Sequence, residues 1–543
     1  MEGLTRSSSS RVAAAHIYLK YFVRLATLTF GALCAWRFRY SVSPDGVCYL
    51  DMADAHLGGS WDSLLNGVWN PLYPSILANV LCVLRPHPYW ESTVVHAVNF
   101  FMFCVALVSF EFFLRQLRRS HGKDVLPSWA WTILGYSLFF WSCALAIGTW
   151  ILSPDLLVAS GLFLASGLLL RIFVNETGWS TYALLGLVLG LSYLAKSPML
   201  PLGSILIAAA AVLGGRRMLP RVALSAVLFV SIGTLYFVPL SKKLGRLSFG
   251  DSGRFNYINY VGSAGQAIQS PSVLFESPLV YGYEAPVAGT FPLHYELTYW
   301  VEGLRPRLDL SAQIAVLKQN AHICYEIFFS PFHFGLLVTF LTLHIYSGGS
   351  VRRLFRYWFL TLPAILALAM FALVHMEPRY VSPSIALLWL GLFSTIKVDS
   401  GRLVRSVFGA AVGGVLLAIT PATRWQLENL VKQAVHQDWL AAEGLSRLGL
   451  VAGDSVAVVY SPQKPHHYYW ARLAKVRVLA EVAERDSFWG AEEGTRDQIN
   501  RVLSEAGIQA LVADAANQFH ADDAGRGCWK RLDGTMYACM LSE

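Results

Sequence analysis

Residues 43–74 read SPDGVCYLDMADAHLGGSWDSLLNGVWNPLYP and follow directly on an apolar run, about residues 16–36, long enough to cross a bilayer. The stretch places Asp45, Asp51, Asp54 and Asp62 among aromatic residues, in a chain whose charged fraction is only 14%. Carboxylates held this close to a membrane are costly unless they face water, a partner or a substrate. Tyr49 to Leu57 and Trp61 to Val68 predict short amphipathic helices on either side of Gly58-Gly59. Pro71 to Leu84 is an apolar run of about 14 residues, the length of an interfacial or re-entrant helix.

Working outward, the rest of the chain is a membrane protein. Its 543 residues are 55% hydrophobic, with a mean hydropathy of +0.45, above the roughly 45–50% apolar share of soluble proteins. Apolar segments fall at about 16–36, 92–114, 126–147, 154–174, 181–196, 198–214, 221–240, 330–347, 357–374, 381–396 and 403–420, so about eleven spans are expected. The fifth and sixth meet at Lys196-Ser197-Pro198, where a merged or broken pair is the alternative. The net charge of +8 is concentrated in short clusters between spans, which argues for orientation in a membrane and against nucleic-acid binding. Arg115, Arg118, Arg119 and Lys123, then Arg216, Arg217 and Arg221, then Arg352, Arg353 and Arg356, then Lys397, Arg402 and Arg405 share one side when the N-terminus is cytoplasmic. Only Lys196 and Arg379 lie in the short outer turns. The loops at 37–91 and 241–329 then face outward, as does everything after about residue 421. Residues 1–15 are Ser/Arg-rich and read as a disordered cytoplasmic N-terminus, and no cleavable signal peptide is evident.

From about residue 438 the composition becomes that of a soluble module. Ser455–Tyr460, Val476–Val482 and Gln509–Ala513 predict strands, His467–Lys475 and Thr495–Ala506 helices, and Trp529–Leu541 a hairpin turning at Asp533-Gly534. That order gives a small extracytoplasmic α/β domain within 421–543. Cys528 and Cys539 fall in it, and either a disulfide or two free thiols is consistent with their placement.

Three groups of residues could carry chemistry. Asp45, at the turn after the first span, could take a proton from a substrate hydroxyl if it stays ionised; the bland alternative is a cap on the helix starting near Val47. Asp51 and Asp54 follow it. The second group is VHMEPRYVSP, residues 374–383, in a tight outer turn. His375, Glu377, Arg379 and Tyr380 there offer a cationic fork and a phenol, and Arg pairs bidentately with phosphate oxygens; mutual neutralisation of Glu377 and Arg379 is the alternative. Lys196 and Asp155, at the outer ends of spans, could hold an anionic headgroup and orient the first loop or an acceptor, or merely snorkel and cap. Glu276, Glu284, His294, Glu296, Arg305 and Arg307 are too dispersed to rank.

These features resemble the GT-C class of glycosyltransferases, which includes protein O-mannosyltransferases and the lipid A aminoarabinose transferase. The likeness rests on the loop acid Asp45 with Tyr49 and the PLYP run after it, the Gly-rich span GLVLGLSYLAK at 186–196, and Glu377-Pro378-Arg379-Tyr380. It covers about residues 16–420. Many members carry Asp-Glu where this chain has Asp45-Gly46, which leaves Asp51 or Asp54 to act as the second carboxylate.

The resemblance implies an α-helical polytopic GT-C-like membrane domain at 16–420 in the bacterial inner membrane. It implies an inverting glycosyltransferase that moves a sugar from a polyprenyl-phosphate donor to an acceptor hydroxyl of a glycan, lipid or protein on the outer face. Asp45, Asp51 and Asp54 would then be the catalytic acids, and Arg379, Tyr380, Lys196, His375 and Glu377 the donor-phosphate group. Asp155 and Tyr49 would position the acceptor or the loop, and the prenyl groove would lie between spans and the Pro71–Leu84 helix. A transporter or flippase for an anionic or lipid-linked solute is the alternative, although transporter sites tend toward the bilayer centre. A scaffold displaying the C-terminal domain would leave the acidic loop unexplained. No cofactor or metal is assigned, with a divalent cation on Asp45, Asp51, Asp54 and His56 as the other option.

Overall fold

A computed structural model describes residues 2–59, 61–121, 126–176, 178–262, 272–284, 289–292, 305–346, 350–396, 409, 424, 428, 434–461, 466–514 and 528–541. Among them six helices are long and apolar enough to cross a membrane: Ile17–Arg37, Pro88–Arg119, Ser128–Ile147, Asp155–Phe173, Arg216–Lys243 and Val351–Ala372. A seventh counts if Leu310–Phe328 and Pro331–Tyr346, bent by 71°, form one span. Trp179–Ala195 and Met199–Gly214 are shorter, as is Pro378–Phe393. Each span expected up to residue 396 thus coincides with a helix, but the length criterion admits six or seven, and the run at 403–420 lies outside the described residues apart from 409.

The junction at Lys196 separates two antiparallel helices rather than breaking one. Gly214, at the end of the second, lies against Tyr182 at the start of the first, where an added Cβ would sit 2.7 Å from the phenol oxygen. The Gly-rich span has a packing reason. A Cβ at Gly186 would come within 2.4 Å of the Ser225 carbonyl oxygen on the Leu219–Lys243 helix, so small residues let the two backbones touch.

The first loop departs from the expected pair of amphipathic helices. One helix, Pro44–Leu57, is capped by Ser43, whose side chain accepts from the Gly46 N–H, with Pro44 at its first turn. It is buried on most sides: Val47, Leu50, Met52 and Ala53 join the apolar core that also holds Phe110, Phe163 and Leu189. Of the second, only a single turn forms, Trp61–Leu64. The Asn66 side chain accepts from the Val68 and Trp69 N–H groups at 2.8 and 3.2 Å, a local bond that competes with helix. Leu72–Leu84 is helical as expected.

The C-terminal strands belong to a seven-stranded sheet in the order β1-β2-β4-β3-β5-β7-β6. Strands β3 (Ser455–Val459), β4 (Arg477–Val482), β5 (Ala510–Asp514), β6 (Trp529–Asp533) and β7 (Met536–Met540) lie within a residue of their expected places. Cys528 and Cys539 are bonded and close the β6–β7 hairpin. The sheet also recruits β1 (Ser272–Glu276) and β2 (Leu279–Gly282) from the second loop, β2 pairing antiparallel with β4. The α/β unit is therefore not built from the C-terminal segment alone.

Candidate active site

Four separate elements bring the charged groups to one end of the helix bundle. Asp155 starts the Asp155–Phe173 helix, is 4% exposed, and accepts from Lys196 Nζ at 2.5 Å. Ser153 Oγ donates to its other oxygen at 3.0 Å. Lys196 sits at the bend of the helical hairpin in extended conformation, held there by the first loop. Asn70 accepts from Ser197 N–H and Oγ at 3.1 and 2.7 Å and donates to the Tyr193 carbonyl at 2.8 Å.

The Pro378–Phe393 helix supplies the second cation. Arg379 Nε lies 2.6 Å from Glu377 Oε2 and 4.0 Å from Asp155 Oδ2, and its Nη2 donates to Tyr380 Oη at 2.9 Å. Lys196 Nζ lies 3.8 Å from the centre of the Tyr380 ring, so the phenol is gripped by both cations. Glu377 also meets His375 Nε2 at 3.0 Å, and His375 stacks on Tyr260 with ring centroids 4.1 Å apart. Burial pushes the Glu377 carboxyl up, but the His375 hydrogen bond and the Arg379 charge prevail and hold it at about 2. Glu377 thus engages both Arg379 and His375.

Asp45 faces this group from the first turn of the Pro44–Leu57 helix. Burial pushes its carboxyl above the ordinary range, helped by Glu377 and Asp155 and opposed by Arg379 and Lys196. Among the described residues no side chain hydrogen-bonds it. A Cβ at Gly46 would lie 3.0 Å from Val42 and 3.1 Å from Leu152, so a larger side chain there would have to displace both. The carboxylates that share Asp45's surroundings are Glu377 and Asp155.

Asp51 and Asp54 lie elsewhere. Asp51 is 6% exposed and takes Arg472 Nη1 at 2.8 Å, together with the Thr290 N–H and Oγ1 at 2.7 and 2.9 Å. Asp54 meets Arg472 Nη2 at 2.8 Å, and Glu91 takes the same guanidinium at 2.8 and 3.1 Å. Arg472 belongs to the short helix Tyr469–Ala474 beside the sheet, so this is a clasp fastening the sheet to the Asp45 helix. Asp51 and Asp54, expected as catalytic acids, thus meet Arg472 and the sheet rather than Lys196 and Arg379. Tyr49 is buried against Tyr73 and Trp69, with ring centroids 4.9 and 6.3 Å away; it packs the loop.

Two further features escaped the sequence. Arg472 had no partner visible within its own segment, and inside the bundle Arg24 pairs with Glu111, which also accepts from Tyr136 Oη. A charge within an apolar span was the available signal for Glu111. Beside Lys196 and Arg379, a gap of about 10 Å³ is lined by Leu162, Leu202, Phe371 and Ser384, and a second of about 10 Å³ shares Leu162, Leu202 and Ser384 and reaches Phe359 and Ala367. The Leu72–Leu84 helix lines neither. Among the described residues, no group of three or more His, Cys, Asp or Glu is placed to hold a metal ion.

The fold is that of the GT-C class of membrane glycosyltransferases. ArnT from Cupriavidus metallidurans in the apo state matches with a TM-score of 0.55 at 11% identity, over 98% of each chain. The same protein bound to undecaprenyl phosphate matches with a TM-score of 0.54 at 11% identity, again over 98% of each chain. An oligosaccharyltransferase from Archaeoglobus fulgidus gives a TM-score of 0.48 at 11% identity, over 92% of this chain and 69% of its own. No protein-family model and no curated protein sequence matches the chain.

Proposed function

We propose that the protein is an inverting glycosyltransferase that moves a sugar from a polyprenyl-phosphate donor to an acceptor hydroxyl on the outer face of the membrane. The observation that carries this reading is an Asp45 carboxylate with no hydrogen-bonding side chain among the described residues, facing the fixed group of Lys196, Arg379 and Tyr380. Asp45 takes the acceptor proton as the acceptor oxygen attacks the anomeric carbon. The bond from that carbon to the phosphate oxygen breaks, and its electron pair stays on the lipid phosphate beside Arg379 and Lys196. Preorganised cations placed where charge develops lower the barrier, and a base on the face opposite the leaving group gives inversion.

A donor of this class is supported by the likeness to ArnT, one structure of which contains undecaprenyl phosphate. The apolar side chains of Leu162, Leu202 and Phe371 beside Lys196 and Arg379 would meet the start of a prenyl tail. The orientation is supported by Lys20, Arg115, Arg118 and Arg119, which line a cavity of about 520 Å³ at helix ends opposite the site. The bonded cysteines support an oxidising compartment for the sheet. The test is release of free polyprenyl phosphate from a labelled lipid-linked sugar by purified protein in detergent, on addition of an envelope-glycan extract. Transport requires a sealed membrane, so turnover in detergent supports transfer; uptake by sealed vesicles without turnover would reject it.

A further inference from the structure

The sheet carries a cavity that the proposed reaction does not use. Strands β4, β3 and β5 are parallel neighbours with β3 in the middle. The chain leaves β3 for β4 on one side and then crosses to β5 on the other. The crossover helices pack on opposite faces: Trp470 and Ala471 join Val456, Val458 and Val512, whereas Ile499 and Leu503 join Ala457, Val459 and Leu511. The order of connections therefore reverses between β3 and β5. In such sheets the crevice outside the carboxyl ends of the two strands at the reversal is where ligands bind.

A cavity of about 300 Å³ lies there, reaching Val459 and Ser461 after β3 and Asp514 at the end of β5. That is the lower end of the range for ligand pockets, about 300–1,000 Å³. Its chemistry is two-sided. One wall is apolar and aromatic, with Val458, Val512, Met536 and Trp470; the rim carries Asp438, Asp514, Asp533 and His467. The charged groups among the described lining residues are carboxylates and one histidine, with no Lys or Arg. His467 Nε2 lies 3.3 Å from Asp438 Oδ1, which fixes that part of the rim. Carboxylates accept hydrogen bonds from hydroxyl groups, and an apolar wall suits the C–H face of a pyranose ring.

We propose that this cavity binds a neutral, hexose-sized polyhydroxylated ring. The site stands apart from Asp45 but is joined to it: the helix Tyr469–Ala474 puts Trp470 in the cavity wall and Arg472 in the clasp on the Asp45 helix.

The test is saturation-transfer NMR on the intact protein in a detergent without a sugar headgroup. The probes are methyl α-glucopyranoside, methyl α-mannopyranoside and, as the anionic control, glucose 6-phosphate. Transfer is expected from at least one neutral pyranoside, at least fivefold weaker in Asp514→Asn/Asp533→Asn, and unchanged in Asp45→Asn; glucose 6-phosphate should show none. Absence of transfer from both neutral rings, insensitivity to the double variant, loss in Asp45→Asn, or stronger transfer from the phosphate would each overturn the proposal. If the double variant does not fold, Asp533→Asn alone, in the hairpin turn, is read by the same criteria.

Discussion

Arg472→Leu is the perturbation whose cost can be worked most directly from the structure. The guanidinium is 8% exposed and faces Asp51 at 6%, Glu91 at 16% and Asp54 at 58% exposure. Exposed Asp54 contributes little, because surface ion pairs are worth about 0–1 kcal/mol. The loss falls on Asp51 and Glu91, which are left without their cation in a buried place. Thr290 still donates to Asp51, but no cation replaces the one removed. Breaking such a buried pair by removing one partner costs about 3–5 kcal/mol. At roughly 2–4 °C per kcal/mol for cooperative units of 150–250 residues, the thermal midpoint should fall by roughly 6–20 °C. The assay is thermal unfolding of detergent-purified protein, with protease susceptibility of the sheet as a second readout. The decisive comparison is R472L against the triple variant R472L/D51N/E91Q, which removes the stranded charges and should recover most of the loss. A single variant that melts within about 1 °C of the parent, well inside the shift expected above, or a triple variant no better than the single, would refute the clasp.

Four further outcomes follow from the same geometry. Arg379→Lys keeps the charge but not the planar fork, so turnover should fall by roughly 10- to 150-fold, from about 1.5–3 kcal/mol for a hydrogen bond to a charged group; steady-state rates with a fixed lipid donor check it. Asp45→Asn should bind donor normally with turnover lower by about 10²–10⁴-fold. Because burial raises the Asp45 carboxyl, parent activity should fall as pH drops through a value above the ordinary 3.9 or so, while Glu377, held at about 2, stays ionised; a pH–rate profile without that limb would remove Asp45 as the base. Asn70→Ala strands the Tyr193 carbonyl and the Ser197 N–H, costing about 1–3 kcal/mol and weakening donor binding through the loosened Lys196 turn, read as a rise in donor KM.

Most of the helical skeleton was legible because membrane spans announce themselves through long apolar runs, and each such run up to residue 396 holds a helix. Length was less legible than position: the Lys196 hairpin is made of helices of 17 and 16 residues, short enough in sequence to suggest one broken span. The five C-terminal strands were legible from alternation and β-branched content. The β1–β2 hairpin was not. Its strands SVLFE and LVYG lie in a loop nearly 200 residues before their partner β4, and strand pairing at that distance leaves no local trace. The clasp was hidden for the same reason, since Arg472 meets Asp51 across 421 positions.

The structure sets Asp51 and Asp54 apart from Asp45 for a reason that helix geometry can isolate. With the helix starting near Tyr49, Asp45 stands in a loop and its relation to the later acids is open. The helix in fact starts at Pro44, so all three share one axis. At about 100° per residue, Asp54 lies about 180° around that axis from Asp45, Asp51 about 120° from it, and Asp51 and Asp54 only about 60° from each other. Two acids therefore lie on one side of the helix and one on the other. The pair faces Arg472 and the sheet, and Asp45 faces Lys196 and Arg379. What sequence could not supply was the start of the helix, and that start depends on Ser43 capping Gly46 with Pro44 in the first turn. Gly46 then packs against Leu152, three residues before Asp155, and that contact brings a second carboxylate to Asp45 from another helix.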